Sequence, residues 1–213
     1  MRIHPLQPIA VIVLVAVLWY MKRKKAPAAK AAPGGEPRAV SAQGAQGSQR
    51  AAKAARTPEE VYMSLREAAL QKNPQELFLP DGLKTDEPYG AVMEMGIPNS
   101  VVTLACFADG DAGIYYKTGG GMKGGGSHET VRRAAKQFIA LSQRALPRMV
   151  KTDTHPLPEA EKVRFYVLTQ KGTFTTEANR QALGGSENEL SALFYGGQDV
   201  VGQMRQVQEE KGG

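Results

Sequence analysis

One cysteine, one tryptophan and three histidines are all that 213 residues hold of those types. A single thiol excludes an intrachain disulfide framework and any zinc site built on paired thiolates. His128-Glu129 is not followed by the second histidine of a His-Glu-x-x-His helix, and only His4 and His155 remain as other histidines, so no metal is expected. No period of internal repetition is present. Hydrophobic residues at 42% and charged residues at 23% exclude both wholesale disorder and a polytopic membrane protein. Long apolar runs are missing everywhere except at the start.

That start is the strongest signal in the chain. Ile9 to Met21 reads IAVIVLVAVLWYM, and the uncharged run reaches back to Pro5. A helix over residues 5–21 would span roughly 25 Å, short of the hydrocarbon core of about 30 Å but workable with snorkelling flanks. Trp19 and Tyr20 lie where amphipathic rings favour the headgroups, and Lys22, Arg23, Lys24 and Lys25 follow at once. A cleaved signal peptide has its cations before the apolar stretch; here only Arg2 precedes it. Residues 1–21 are therefore expected to be a single transmembrane helix with the lipid bilayer as its partner. The basic flank orients the N-terminus outward and the rest of the chain into the cytoplasm, with Lys22 to Lys25 at the membrane surface.

Residues 22–56 hold twelve alanines, nine basic residues and one acidic residue. Almost nothing there can be buried to offset the entropy of ordering, which predicts a disordered basic linker with an r.m.s. reach of about 30–35 Å. Residues 57–213 carry 17 cations against 20 carboxylates, so the high isoelectric point belongs to the linker. A nucleic-acid partner is not expected.

From Thr57 onward the pattern is that of one globular α+β domain, an antiparallel sheet (a meander) packed by helices on one face. Thr57, Pro58 and Glu60 form a helix start with a capping box, and Val61, Leu65, Ala68 and Ala69 recur at helical spacing as its inward stripe. Asn73-Pro74 ends it, and Pro80-Asp81-Gly82 reads as a turn. Tyr89 to Met95 alternates, Val101 to Ala108 is apolar on both faces as a central strand would be, and Ala112 to Thr118 returns after Asp109-Gly110, read as a two-residue hairpin turn. A glycine-rich stretch over Gly119 to Gly126 leads to a long helix opened by Ser127 and stopped by Pro147. Lys162 to Thr169 alternates again and turns at Lys171-Gly172 towards Phe174. Three helices should follow: Glu177 to Leu183; one capped by Ser186 with Glu189 and closed by Gly196; and a last one through Val200, Met204 and Val207.

The glycine-rich stretch is the one candidate for chemistry. A strand, a glycine loop and a helix N-terminus present backbone N–H groups to an anion, which makes Gly124, Gly125, Gly126, Ser127 and Arg132 a candidate anion-binding set. It is not a phosphate-binding P-loop motif, since no Gly-Lys-Ser/Thr closes it and Glu129 stands where a phosphate would want neutrality. Ser127 and His128 are no nucleophile pair, because adjacent helical positions point about 100° apart. Asp109 and Asp111 flank a turn without the remaining carboxylates of a calcium loop. Cys106, in the most apolar strand, reads as an inert core thiol. No catalytic residue and no cofactor are assigned. The expectation is a membrane-tethered cytoplasmic interaction or scaffold domain whose protein partner the sequence does not name; the alternative is a nucleotide- or anion-binding sensor or enzyme working at residues 119–126.

Overall fold

The computed structural model describes residues 56–212 except 78, 80, 81, 83, 186 and 187. The expected anchor, Lys22 to Lys25, the linker before Arg56, the Pro80-Asp81 turn and the Ser186 cap lie outside the described residues. Among the described residues no helix is long and apolar enough to cross a membrane.

The described residues form one α+β domain around a seven-stranded, wholly antiparallel sheet. In chain order the elements are helix α1 (Pro58–Leu70), strands β1 (Gly90–Ile97), β2 (Ser100–Phe107), β3 (Ala112–Tyr116) and β4 (Gly121–Met122), and helix α2 (Glu129–Ala145). Strands β5 (Val150–Thr152), β6 (Lys162–Thr169) and β7 (Gly172–Asn179) follow, then helices α3 (Arg180–Gly184) and α4 (Glu189–Gly212). The sheet runs β4-β3-β2-β1-β6-β7-β5. The β1-β2-β3 meander and the β6-β7 hairpin stand as expected. The long-range step is the pairing of β6 with β1, Met93 opposite Phe165 and Glu94 opposite Arg164, which makes β1 the central strand.

Directly opposed residues share a face, so the register sorts the side chains. Met93, Leu104 and Phe165 share one face, on which α2 and α4 pack: Gly197 of α4 lies against Met93 and Phe138, and Gly196 against Leu141. Val92, Ala105 and Tyr166 share the other face and form a core with Ala69, Leu70 and Leu77 under α1. Helices therefore cover both faces, not one as expected.

Local chemistry accounts for the remaining differences. Helix α1 does begin at the Thr57–Glu60 capping box, with both reciprocal hydrogen bonds present. It is rotated about its axis, however: Tyr62, Arg66, Ala69 and Leu70 are buried, while Val61 is 42% exposed and Leu65 half-buried. Polar side chains on the sheet attract Tyr62 and Arg66 inward, against hydropathy. The Asp109-Gly110 turn is a three-residue loop, in which Gly110 N–H donates to Phe107 O and Phe107 N–H to Asp111 O, with Gly110 at φ 92°. Glu177 lies in β7 opposite Arg164, and the helix expected from there starts only at Arg180. The two expected C-terminal helices are one, α4, running through Gly196-Gly197 because those two positions let α2 and Met93 approach closely. Its start is capped by Asn188, whose Oδ1 accepts from the N–H groups of Leu190 and Ser191.

Candidate functional site

Two polar constellations stand out. The first is the glycine-rich stretch. Gly121–Met122 pairs with Ile114 and Tyr115 as the edge strand β4, and Gly125–Ser127 forms a turn of 3-10 helix. Ser127 does not cap α2: its hydroxyl donates to Gly124 O, and the N-cap position belongs to His128, whose side chain makes no capping bond. The five candidate residues do lie together, but their polar groups are turned on each other. Gly126 N–H donates to the Asp111 carboxylate at 3.2 Å, so a carboxylate of the chain itself sits where an anion was expected. The Arg132 guanidinium donates to Gly126 O and to Glu129. Hydrogen bonds and charge from Arg132 hold the Glu129 carboxyl below the usual carboxylate range. Gly125 is buried, and a Cβ there would meet Val131 at 2.9 Å and Ala112 O at 3.1 Å; Gly124, at φ 69°, faces open space. Beside the loop is a cleft of 220 Å³ between α1 and β3, lined by Leu65, Phe107, Asp109, Tyr115, Lys123 and Gly124 among others.

The second constellation lies under α1. Arg66 forms a two-pronged ion pair with Glu94, Nε to Oε1 at 2.6 Å and Nη2 to Oε2 at 2.9 Å, and the two side chains are 6% and 0% exposed. Thr103 Oγ1 donates to Glu94 Oε1 at 3.1 Å, which leaves Tyr62 as the donor in its 2.8 Å bond to Thr103. Arg66 Nη2 also donates to His155 O, and Tyr166 O–H to Pro156 O, pinning the chain between β5 and β6 across this face. The Arg66 guanidinium stands 5.9 Å from the Tyr166 ring centre, and His155 meets that ring edge-on. Next along the sheet, Arg164 pairs with Glu177 at 2.6 Å.

This cluster shifts its members in opposite directions. Burial, then the Glu94 charge, pushes the Tyr62 and Tyr166 phenols up to about 12. Burial, then the Arg66 charge, holds the His155 imidazole below its ordinary value. Burial acts against the charged form of Arg66, yet the hydrogen bonds and charge of Glu94 outweigh it and the net shift is upward. Arg66 and Glu94 neutralise each other, so the pair fixes α1 on the sheet, while His155 Nε2 and Arg164 Nε are buried without a hydrogen-bond partner among the described residues.

Nothing in the sequence pairs Arg66 with Glu94, though one signal is present. Glu94 is a lone carboxylate inside an otherwise apolar, alternating strand, and a carboxylate there needs a cation. Among the described residues no three His, Cys, Asp or Glu side chains gather as a metal-binding group. Cys106 is fully buried, and burial followed by the Asp111 charge pushes its thiol far up, as suits an inert core residue. Comparison of the chain with protein-family models, with curated proteins and with solved structures gives no match.

Proposed function

We propose that this chain is a membrane-tethered interaction or scaffold domain of the cytoplasmic side, held by residues 5–21, with its N-terminus outside the cell membrane and no chemistry of its own. The observation that carries the reading is the uncharged run from Pro5 to Met21 followed directly by Lys22, Arg23, Lys24 and Lys25. A linker over residues 22–56 then gives the domain a raised effective concentration near membrane partners without any new contact. Two apolar side chains of α1 open to solvent support an interaction role: Val61 and Met63 are exposed at 42% and 39%. Proximity labelling from the intact protein tests this. Deleting Met1 to Lys25 should move the domain out of the membrane fraction and replace its labelled neighbours. An unchanged location and neighbour set would refute the reading.

The second reading, an anion or nucleotide sensor, is favoured by the cleft that brings Lys123 and the left-handed Gly124 to one wall. A nucleotide there should raise the melting temperature, and Lys123→Ala should remove the rise. No stabilisation by any nucleotide or phosphorylated metabolite would count against it.

A further inference from the structure

Helix α2 gathers positive charge on a domain that is otherwise acidic. Residues 129–148 hold five cations against one carboxylate, whereas the rest of residues 57–213 holds twelve against nineteen. Two of the five are taken up, Arg132 by Glu129 and Arg148 by Glu189. The other three, Arg133, Lys136 and Arg144, are exposed, and none pairs with a described carboxylate. They lie along one side of the helix with exposed Ala140 between them, a row about 16 Å long at 1.5 Å per residue. The opposite side of α2, with Val131, Ala135 and Phe138, is buried in the domain. The row therefore looks outward on the face of the sheet away from α1.

Such a separation of charge gives the domain an orientation in an external field. An anionic surface attracts the α2 side and repels the acidic remainder, so contact is made through one face. A flat bilayer leaflet meets that demand. A nucleic acid is matched less well, because the row contains no aromatic side chain for base stacking and the domain around it is net negative. Resting on the anchored reading above, we propose that the Arg133, Lys136 and Arg144 row of α2 is a docking face for anionic lipid headgroups, which lays the tethered domain on the inner leaflet. The anchor keeps the domain within linker reach of that surface, so weak attraction at each cation suffices.

The test uses the full chain carrying Ala140→Cys on the row or Ser64→Cys on the solvent side of α1, each labelled with a fluorophore. Cys106 is buried and does not compete for the label. The chain is reconstituted in vesicles of phosphatidylcholine, with or without phosphatidylserine, that carry a lipid-bound quencher, and integration is read separately by flotation. Quenching at Ala140→Cys should rise several-fold with phosphatidylserine, while Ser64→Cys should not respond. The rise should disappear in high salt and in the combined Arg133→Glu, Lys136→Glu, Arg144→Glu variant, at about fivefold in docking equilibrium per cation lost. The salt arm needs no substitution and keeps the test valid should the variant fold poorly. An integrated chain whose Ala140→Cys label ignores phosphatidylserine would overturn the docking face and leave the anchor standing. A chain that does not integrate would overturn both. Binding of duplex DNA lost in the same triple variant, without a lipid response, would assign the row to nucleic acid and overturn the proposal.

Discussion

Removing one partner of the Arg66–Glu94 pair should cost far more than removing both. Arg66→Met leaves the Glu94 carboxylate, fully buried in the middle of β1, with only the Thr103 hydroxyl as a donor, and it strips His155 O of its partner. An uncompensated buried charge of this kind costs about 3–5 kcal/mol. Glu94→Met should cost a similar amount by orphaning Arg66. In the double variant no charge remains; what is lost are the hydrogen bonds of His155 O and Thr103, about 1 kcal/mol each, offset by two flexible apolar side chains that fill the space. The double variant should thus be less destabilised than either single one, with a coupling of more than about 2 kcal/mol. Equilibrium urea unfolding of the fragment from Thr57 to Gly213 measures all four corners of the cycle. Additive single effects, or a double variant worse than both singles, would refute the claim that the pair is buried and mutually compensating.

Further outcomes follow from the same geometry. Tyr62 and Tyr166 titrate at about 12 in the folded chain against an ordinary value near 10, so their contribution is whole below pH 10 and is lost as the pH rises through 12. At roughly 2–3 kcal/mol each, alkaline unfolding should be followed by phenolate absorbance, and Tyr62→Phe should lower the pH dependence by its own share, the rest staying with Tyr166 and with Cys106, Tyr89 and Tyr115, whose ionisation burial also opposes. Gly96→Ala would place a Cβ 1.8 Å from Glu159 O and break the approach at which Glu161 N–H donates to Gly96 O; a loss of more than about 3 kcal/mol and new protease cleavage near residues 156–161 are expected. Gly202→Ala, in α4 with nothing within 4 Å, should instead stabilise by up to about 1 kcal/mol in a thermal scan. Asn188→Ala removes the acceptor for two N–H groups at the start of α4 and should cost about 1 kcal/mol by denaturant titration.

Elements whose pattern is local were legible in the sequence, and those decided by distant partners were not. β1, β2, β3 and β6 follow from alternation and apolar runs bounded by turns, β7 only from the turn at Lys171-Gly172 and not in its last residues from Glu177, and the start of α1 from its capping box. Helix α1 was misoriented because hydropathy ranks Val61 and Leu65 above Tyr62 and Arg66, whereas the buried Glu94 and Thr103 reward the latter pair. Strands β4 and β5 span two and three residues and exist only through their partners β3 and β7, so no periodicity could reveal them. Gly196 reads as a helix terminus, but close packing of Gly196 and Gly197 against Leu141 and Met93 carries α4 through it. In the candidate loop, Gly124 to Ser127 and Arg132 are near one another because they are near in sequence. That Asp111 reaches the Gly126 amide depends on the β2-β3 turn meeting the loop, a contact fifteen residues apart in sequence.

A tethered domain requires that residues 5–21 remain in the bilayer. Alkaline carbonate extraction of membranes from cells expressing the full chain measures this directly: the protein should stay in the pellet with its first residues intact. Release into the supernatant, or a mature protein starting after Tyr20, would contradict it.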